Sequence, residues 1–388
     1  MALEVRISKA VELWDDAEVR AAIGFANRGM SPQQPPFMNR RFKGFLVTGV
    51  SVFCVVAGIL LFTARAASNL AIQRQANGDV VLQVNAPAGQ FSRIDASSNL
   101  QQWEPLATFQ STGVITHTDS AAPYFGQRFY RAADLSGTGI LTGDHLVTAD
   151  GEVVFHVINH ASFVMGWNGK MIYNDPVGGA TPFQGLAKAD LILVSHSHTD
   201  HYSNTTLDAV RGANVRIIAP QAVYNSMTAT LKALTTVLAN GAGTTVMGVT
   251  IDAVPAYNLT NSNHPLGVGN GYILTIGGKR IYMSGDSEDI PEMRALTNID
   301  VAFVCMNVPF TMSVAKAVSA VRAFRPRVIY PYHYRNQDST FADLNGFKQQ
   351  VGTDLGIEVR LRPWYGTAGA APLGATNSTR SARSLHHH

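Results

Sequence analysis

Residues His196-Ser197-His198-Thr199-Asp200-His201 follow directly on the apolar run Leu191-Ile192-Leu193-Val194-Ser195. An apolar run of this length, with no helical spacing of polar residues, reads as a buried strand. A strand end fixes the backbone, and the loop beyond it can turn several side chains toward one point. Four metal-competent groups in six residues are poorly explained by packing. Neutral imidazole and carboxylate suit zinc and related divalent ions. The chain is therefore expected to fold around a metal centre at a sheet edge.

Other candidates lie downstream in similar positions. His264 sits in Asn263-His264-Pro265, a loop before an apolar strand at Tyr272–Ile276. Asp286 follows the strand Arg280–Met283, and His333 follows Val328–Tyr330 within Pro331-Tyr332-His333-Tyr334. Further strands are expected at 152–158, 162–167, 170–173, 215–219 and 301–306, with Asn168-Gly169 closing a hairpin. The spacing predicts a helix over Met312 to Phe324, with Val314, Val318 and Val321 on one face and a stop before Pro326. Hairpins followed by strands alternating with helices imply mixed sheets covered by helices. His117, His145 and His156 read as packing residues, and Asp175 before Pro176 as a turn carboxylate. His160 reads equally as a site residue or as strand-loop packing. If strand alternation continues, Tyr332 and Tyr334 point away from the side that His333 faces.

At 388 residues, 46% apolar and 15% charged, the chain is long enough for two domains and too apolar to be disordered. A net charge of +3 and the absence of a basic run in the body argue against a nucleic-acid partner. The only cysteines, Cys54 and Cys305, fall in apolar stretches, which leaves no disulfide framework or thiolate zinc site. Residues 45–64 form a charge-free run behind Arg40-Arg41-Phe42-Lys43. With the small-residue pattern Ala64-Arg65-Ala66, residues 38–66 read as a signal peptide cleaved after Ala66, in preference to a membrane anchor. Either implies export to the periplasm, the medium or the outer membrane face. Membrane association is expected only if residues 45–64 remain as an anchor. Residues 1–37 precede this signal as an extension of doubtful status. Residues 369–388 read as a disordered tail, with His386 to His388 as a tag-like end.

Residues 67–135 carry short alternating stretches broken by turns, the pattern of a small all-β sandwich. The stretch from Ile94 to Trp103, closed by Gln127-Arg128-Phe129-Tyr130-Arg131, resembles a module that recurs in exported bacterial proteins. Its expected role is a spacer or stability module, with surface or carbohydrate binding as the alternative. Residues 136–150 read as a Gly/Thr-containing linker.

From 151 to about 366 the chain resembles the metallo-β-lactamase fold superfamily, through His196-x-His198-x-Asp200-His201. His160-Ala161-Ser162-Phe163, Asn174-Asp175-Pro176, Gly285-Asp286, Thr311-Met312 and Pro331-Tyr332-His333-Tyr334 point to its lactonase-like branch. The resemblance implies an α+β fold, an αββα sandwich over residues 151–368 behind the N-terminal all-β sandwich. It implies that His196, His198 and His264 hold one metal, and that Asp200, His201 and His333 hold a second, with Asp286 bridging. Zinc is the default, with manganese or iron as alternatives. Two such ions can share a hydroxide that attacks a carbonyl, with Asp200 also acting as general acid and His160 assisting. The expected activity is hydrolysis of a lactone, ester or amide of a small molecule. Alternatives are a phosphodiesterase on a small or lipid phosphodiester, a β-lactamase, and a surface-binding protein whose metal domain is structural. Ser287 after Asp286, and Met306-Asn307-Val308-Pro309-Phe310 without the usual glycine pair, depart from the family pattern near the expected pocket.

Overall fold

The computed structural model describes residues 5–8 and 69–366. The proposed signal at 38–66, nearly all of the extension 1–37, Cys54 and the tail 369–388 lie outside the described residues. Among the described residues no helix is long and apolar enough to cross a membrane.

Two mixed sheets face each other in the C-terminal part. In the first, Gly151–Asn159, Ser162–Trp167 and Lys170–Asn174 run antiparallel, after which Ala189–Leu193, Arg211–Ala219 and Thr235–Val237 add in parallel. In the second, Gly243–Val246, Val249–Ala256, Gly269–Ile276 and Lys279–Met283 run antiparallel. Val301–Cys305, Val328–Tyr332 and Glu358–Val359 then add in parallel. Both sheets thus begin as hairpins and end as parallel strands. The expected hairpin at Asn168-Gly169 forms, with φ of 47° and 72°, the left-handed pair that a two-residue turn demands.

The uninterrupted apolar runs follow from burial on both faces. Along Ala189–Leu193, Leu191 and Leu193 point into the core between the sheets, while Ile192 joins a second core under the outer helices. Arg211–Ala219 alternates likewise, with Ile218 facing inward and Val215, Ile217 and Ala219 outward. Helix Asn204–Val210 covers that outer face with Leu207 and Val210. On the far side, helix Val314–Phe324 packs Ala317, Val321 and Phe324 onto the central core. Ser313 caps that helix by accepting from Lys316 N, so it begins two residues later than its spacing predicted. It stops at Arg325, in the left-handed conformation before Pro326. The layers are helix, sheet, sheet, helix, the arrangement that the resemblance implied.

Aromatic stacking and one hydroxyl tie the sheets together. Phe163 of the first sheet stacks on Phe303 of the second at 4.3 Å, and Phe303 on Tyr330 at 4.8 Å. Tyr272, fully buried on the second sheet, donates across the core to the carbonyl of Val194 at 2.8 Å, two residues before the histidine loop.

The N-terminal strands split between two sheets. Asn69–Arg74, Val80–Asn85 and Val114–Asp119 form a three-stranded sheet. Phe91–Ser97, Glu104–Gln110 and Gln127–Leu135 pair together and continue into the large C-terminal sheet. Leu82, Val84, Ile94, Ala96 and Tyr130 fill a small core between them. The junction corrects the linker reading of 136–150, because Gly143–Thr148 is a strand. It pairs with Gly151–Asn159 on one side and, at Ala107 and Thr108, with Glu104–Gln110 on the other. Gly143 is forced there: its φ is 141°, and a Cβ would lie 2.0 Å from the Phe155 carbonyl oxygen. Asp144 anchors the strand by accepting from Tyr330 and Arg362, each at 2.8 Å.

Tyr272→Phe should lower unfolding free energy by about 1–3 kcal/mol, because the buried Val194 carbonyl loses its donor. Urea denaturation checks this, and an unchanged midpoint would refute the bridge.

Candidate metal centre

The parallel strands place their C-terminal ends side by side, and the candidate residues project from those ends. Asp175 follows Lys170–Asn174, and the 196–201 loop follows Ala189–Leu193 in the next strand. Across the core, Asp286 follows Lys279–Met283 and His333 follows Val328–Tyr332. His264 comes from the loop before Gly269–Ile276, and His160 from the turn between Gly151–Asn159 and Ser162–Trp167.

The histidine loop is held at both ends. His201 N and Tyr202 N both donate to the His198 carbonyl, and Ser203 then caps helix Asn204–Val210 by accepting from Thr206 N. Asn270 N donates to the Ser195 carbonyl at 2.8 Å, pinning the loop to the second sheet. Gly285 sets the position of Asp286 with a φ of 58°, and a Cβ there would lie 2.7 Å from the Asn270 carbonyl oxygen.

The structure brings all seven expected ligands together. His196, His198 and His264 form one group whose ligand atoms lie within 4.8 Å of one another; Asp200, His201 and His333, with His160, form a second. Asp286 joins them: its Oδ1 is 3.4 Å from His201 Nε2, and its Oδ2 is 3.4 Å from His264 Nε2 and 3.5 Å from His333 Nε2. Asp200 Oδ2 lies 3.4 Å from His333 Nε2 and 3.8 Å from His201 Nε2. His201 Nε2, His333 Nε2 and Asp286 Oδ1 are buried without a hydrogen-bond partner among the described residues. Orphaned polar atoms of this kind are costly unless something else pairs with them. The separations answer the question, since bonds of about 2.0–2.1 Å to a tetrahedral ion put neighbouring donor atoms about 3.4 Å apart. These residues fit divalent metal ions.

Partners outside the cluster aim the ligands. Asp175, read from the sequence as a turn carboxylate, is instead fully buried with a φ of 41°. It accepts from Ser195 N at 2.7 Å, Ser195 Oγ at 2.7 Å and His201 Nδ1 at 2.9 Å. That bond holds the His201 proton on Nδ1 and directs Nε2 inward. Ser195 Oγ lies 3.0 Å from His196 Nδ1 and serves that ring in the same way. The one signal that would have found Asp175 is its place at the end of a strand parallel to the one feeding the histidine loop. His160 stands beside the cluster: its Nε2 lies 2.9 Å from Asp200 Oδ2 and its Nδ1 2.9 Å from the hydroxyl of Tyr365, which the sequence reading passed over.

His333 has a φ of 47°, so strand alternation ends there. Tyr332 packs on Trp364 and Tyr334 on Tyr365, both fully buried. The histidines read as packing residues stand apart from the centre. His145 bonds Thr108 and Glu152, His156 bonds Thr142, and His117 packs edge-on against Phe109. Cys305 is buried in its strand as expected.

Burial, followed by the neighbouring imidazoles, holds His196 well below the usual range and lowers His264 to about 4. Burial also lowers His333 to about 3, so these rings are neutral and ready to bind metal near pH 7. Burial raises Asp286 to about 7. Burial disfavours the charged form of His201 too, but Asp286, Asp175 and Asp200 outweigh it and raise that imidazole to about 9. Against the effect of burial, His160 and His333 hold the Asp200 carboxyl well below its usual range.

A metal must displace the second proton of the His201 ring, on Nε2, so affinity should rise about ten-fold per pH unit between pH 7 and about 9. Chelated protein should do the reverse. A folded-state value raised from 6.5 to about 9 stabilises fully below the lower figure and ceases to do so as pH passes the upper one. Competition with a calibrated chelator and melting of the chelated protein across this range check both trends, and flat profiles would refute the His201 assignment.

Comparison with known proteins agrees with this centre. Residues 155–333 match the family model of the Beta-lactamase superfamily domain. A UPF0173 metal-dependent hydrolase of Pyrococcus abyssi is 32% identical over 217 residues, covering 53% of this chain and 95% of that protein. Its counterpart in Thermococcus kodakarensis is 32% identical over 216 residues, at 53% and 95% coverage. A crystal structure of a presumed metal-dependent hydrolase from Parabacteroides distasonis superposes with a TM-score of 0.51 and 37% identity, covering 57% of this chain and 99% of that one. Its sheets, its relatives and its cluster of imidazoles and carboxylates together establish that this chain belongs to the metal-dependent hydrolases of the metallo-β-lactamase fold superfamily.

Proposed function

We propose that the chain hydrolyses a lactone, ester or amide of a small molecule, that it uses two divalent ions, and that it works outside the cytoplasm. The observation that carries this reading is the complete set of His196, His198, Asp200, His201, His264, Asp286 and His333 around one point, with Asp286 central to both groups. Bound there, divalent ions would supply Lewis acidity toward a substrate oxygen and lower the pKa of water.

The remaining chemistry falls to the chain's own residues. Asp200, whose side chain is 46% exposed, is the carboxylate of the cluster that reaches toward solvent. It is placed to accept a proton at Oδ2 and pass it to a leaving group. His160 stands 2.9 Å from that oxygen. With Nδ1 bonded to the Tyr365 hydroxyl, its Nε2 is oriented toward Asp200, so it positions the carboxylate. Loop residues Asn263, Pro265 and Val268 close a cavity of about 60 Å3 beside His198 and His264. That space accommodates a reacting group rather than a whole substrate. The bulk of the substrate must lie above it, beside Leu266 and Val268, which are 62% and 39% exposed.

This rim favours a carbonyl substrate over a phosphodiester. No lysine or arginine lines the described cavity, whereas phosphate recognition usually enlists guanidinium or ammonium groups. Export is supported by the charge-free run 45–64, its basic flank and Ala64-Arg65-Ala66. The strands between 69 and 135 are read as a small β-sandwich module serving as spacer and support.

Purified protein should contain about two equivalents of divalent metal per chain, with zinc the expected ion. One equivalent or none would refute the two-ion reading. His198→Ala and Asp286→Ala should each lower kcat/KM by about 100-fold or more while far-ultraviolet circular dichroism stays unchanged. A panel of homoserine lactone, p-nitrophenyl ester, bis-p-nitrophenyl phosphate and nitrocefin should show turnover of the first two. Turnover confined to the phosphodiester or to nitrocefin would replace the proposed substrate class.

A further inference from the structure

A cleft of about 1110 Å3 lies between the N-terminal strands Glu104–Gln110 and Val114–Asp119 and the C-terminal segments around 341–345 and 361–363. Phe109, Val114 and Ile115 line one wall; Phe341, Leu344 and Leu361 line the other. Val114 is 61% exposed and Phe341 37%, so the apolar lining continues to the mouth. A concave, largely apolar surface with a few placed polar groups is the usual form of a small-molecule site.

Among the buried polar groups of the lining, His117 is set apart by its lack of a partner. It lines the cleft, is only 7% exposed, and has no hydrogen-bond partner among the described residues. Its ring contact is an edge-on approach to Phe109 at 5.5 Å. Nearby His145, by contrast, is satisfied on both nitrogens by Thr108 and Glu152. Burial and the charge of Arg362 lower His117 to about 3, which leaves a neutral ring with one donor and one acceptor. Asp144 and Arg362, also in the lining, are paired with each other at 2.8 Å and spend their charges there. Its ring nitrogens are not among the fully buried atoms that lack a partner, so they meet the space of the cleft, where a ligand can take the place of solvent.

We infer that this cleft binds an uncharged amphiphile, an alkyl or acyl chain whose terminal hydroxyl or carbonyl hydrogen-bonds to His117. The apolar walls accept the chain; the exposed Asp343 carboxylate in the lining disfavours an anionic head, and Arg362 beside His117 disfavours a cationic one. The cleft shares no lining residue with the cavity at the metal ligands, so the inference does not depend on the proposed hydrolysis.

The test titrates the full chain with N-phenyl-1-naphthylamine, an uncharged probe that brightens in apolar surroundings, and displaces it with dodecan-1-ol. The expected result is saturable binding that survives chelation of the metals and is reversed by the alcohol. Thr116→Trp, at an exposed position in the lining, should weaken both ligands about ten-fold without shifting the melting temperature. His117→Phe should keep probe affinity within about two-fold and weaken the alcohol about five-fold, the loss of one hydrogen bond. Non-saturable uptake, binding abolished by chelation, or affinities unmoved by Thr116→Trp would overturn the inference. A null result here would leave the metal stoichiometry untouched, and failure of the metal reading would leave this binding intact.

Discussion

The Asp175 carboxylate is the point on which the metal centre turns. It is fully buried, yet it accepts from one backbone amide, one hydroxyl and one imidazole. Those bonds join the end of one strand to the start of the histidine loop, and set the direction of His201 and, through Ser195, of His196. Burying a carboxylate is unfavourable unless it is fully satisfied. The three donors meet that condition, and together they leave the loop little freedom. The ligand geometry therefore begins with a residue that does not itself reach the centre.

Around that point the fold supplies repetition. Each sheet ends in parallel strands, and parallel strands bring successive C-terminal ends to one edge. Facing the two edges across a shared aromatic core brings Asp286 and His333 opposite the loop that carries His196, His198, Asp200 and His201. Tyr272 and Asn270 then bond across the core to the residues just before the loop, so the distance between the two halves of the site is fixed by packed interior. Backbone conformations unfavourable to side chains gather at the same edge: His160, Asp175 and His333 all have positive φ. Strain of this kind persists where the surroundings over-determine it.

The legibility of these features follows the range of the forces involved. The six-residue motif was readable because its ligands are local and their spacing has no good packing explanation. His264, Asp286 and His333 were readable because each adjoins a recognisable strand. The roles of Asp175 and Tyr365 were not, because they arise only when distant strand ends meet. A tyrosine 205 residues from its histidine partner leaves no local trace. The strand Gly143–Thr148 was missed for a different reason: its end residues Gly143 and Thr148 carry loop character, and its neighbours on both sides provide the hydrogen bonds that make it a strand. The alternation predicted through Tyr332 and Tyr334 failed at His333, where a single left-handed residue ends the pleat.

That short strand has a consequence for how the protein could be divided. The family match begins at Phe155, in the middle of Gly151–Asn159, while the sheet continues across that boundary into residues 104–110 and beyond. The sheet thus crosses the start of that match as a continuous hydrogen-bonded ladder. The added strands cover what would otherwise be a bare edge, the surface through which sheets recruit one another into aggregates. A fragment beginning at Phe155 would carry an open edge that these strands cover in the intact chain.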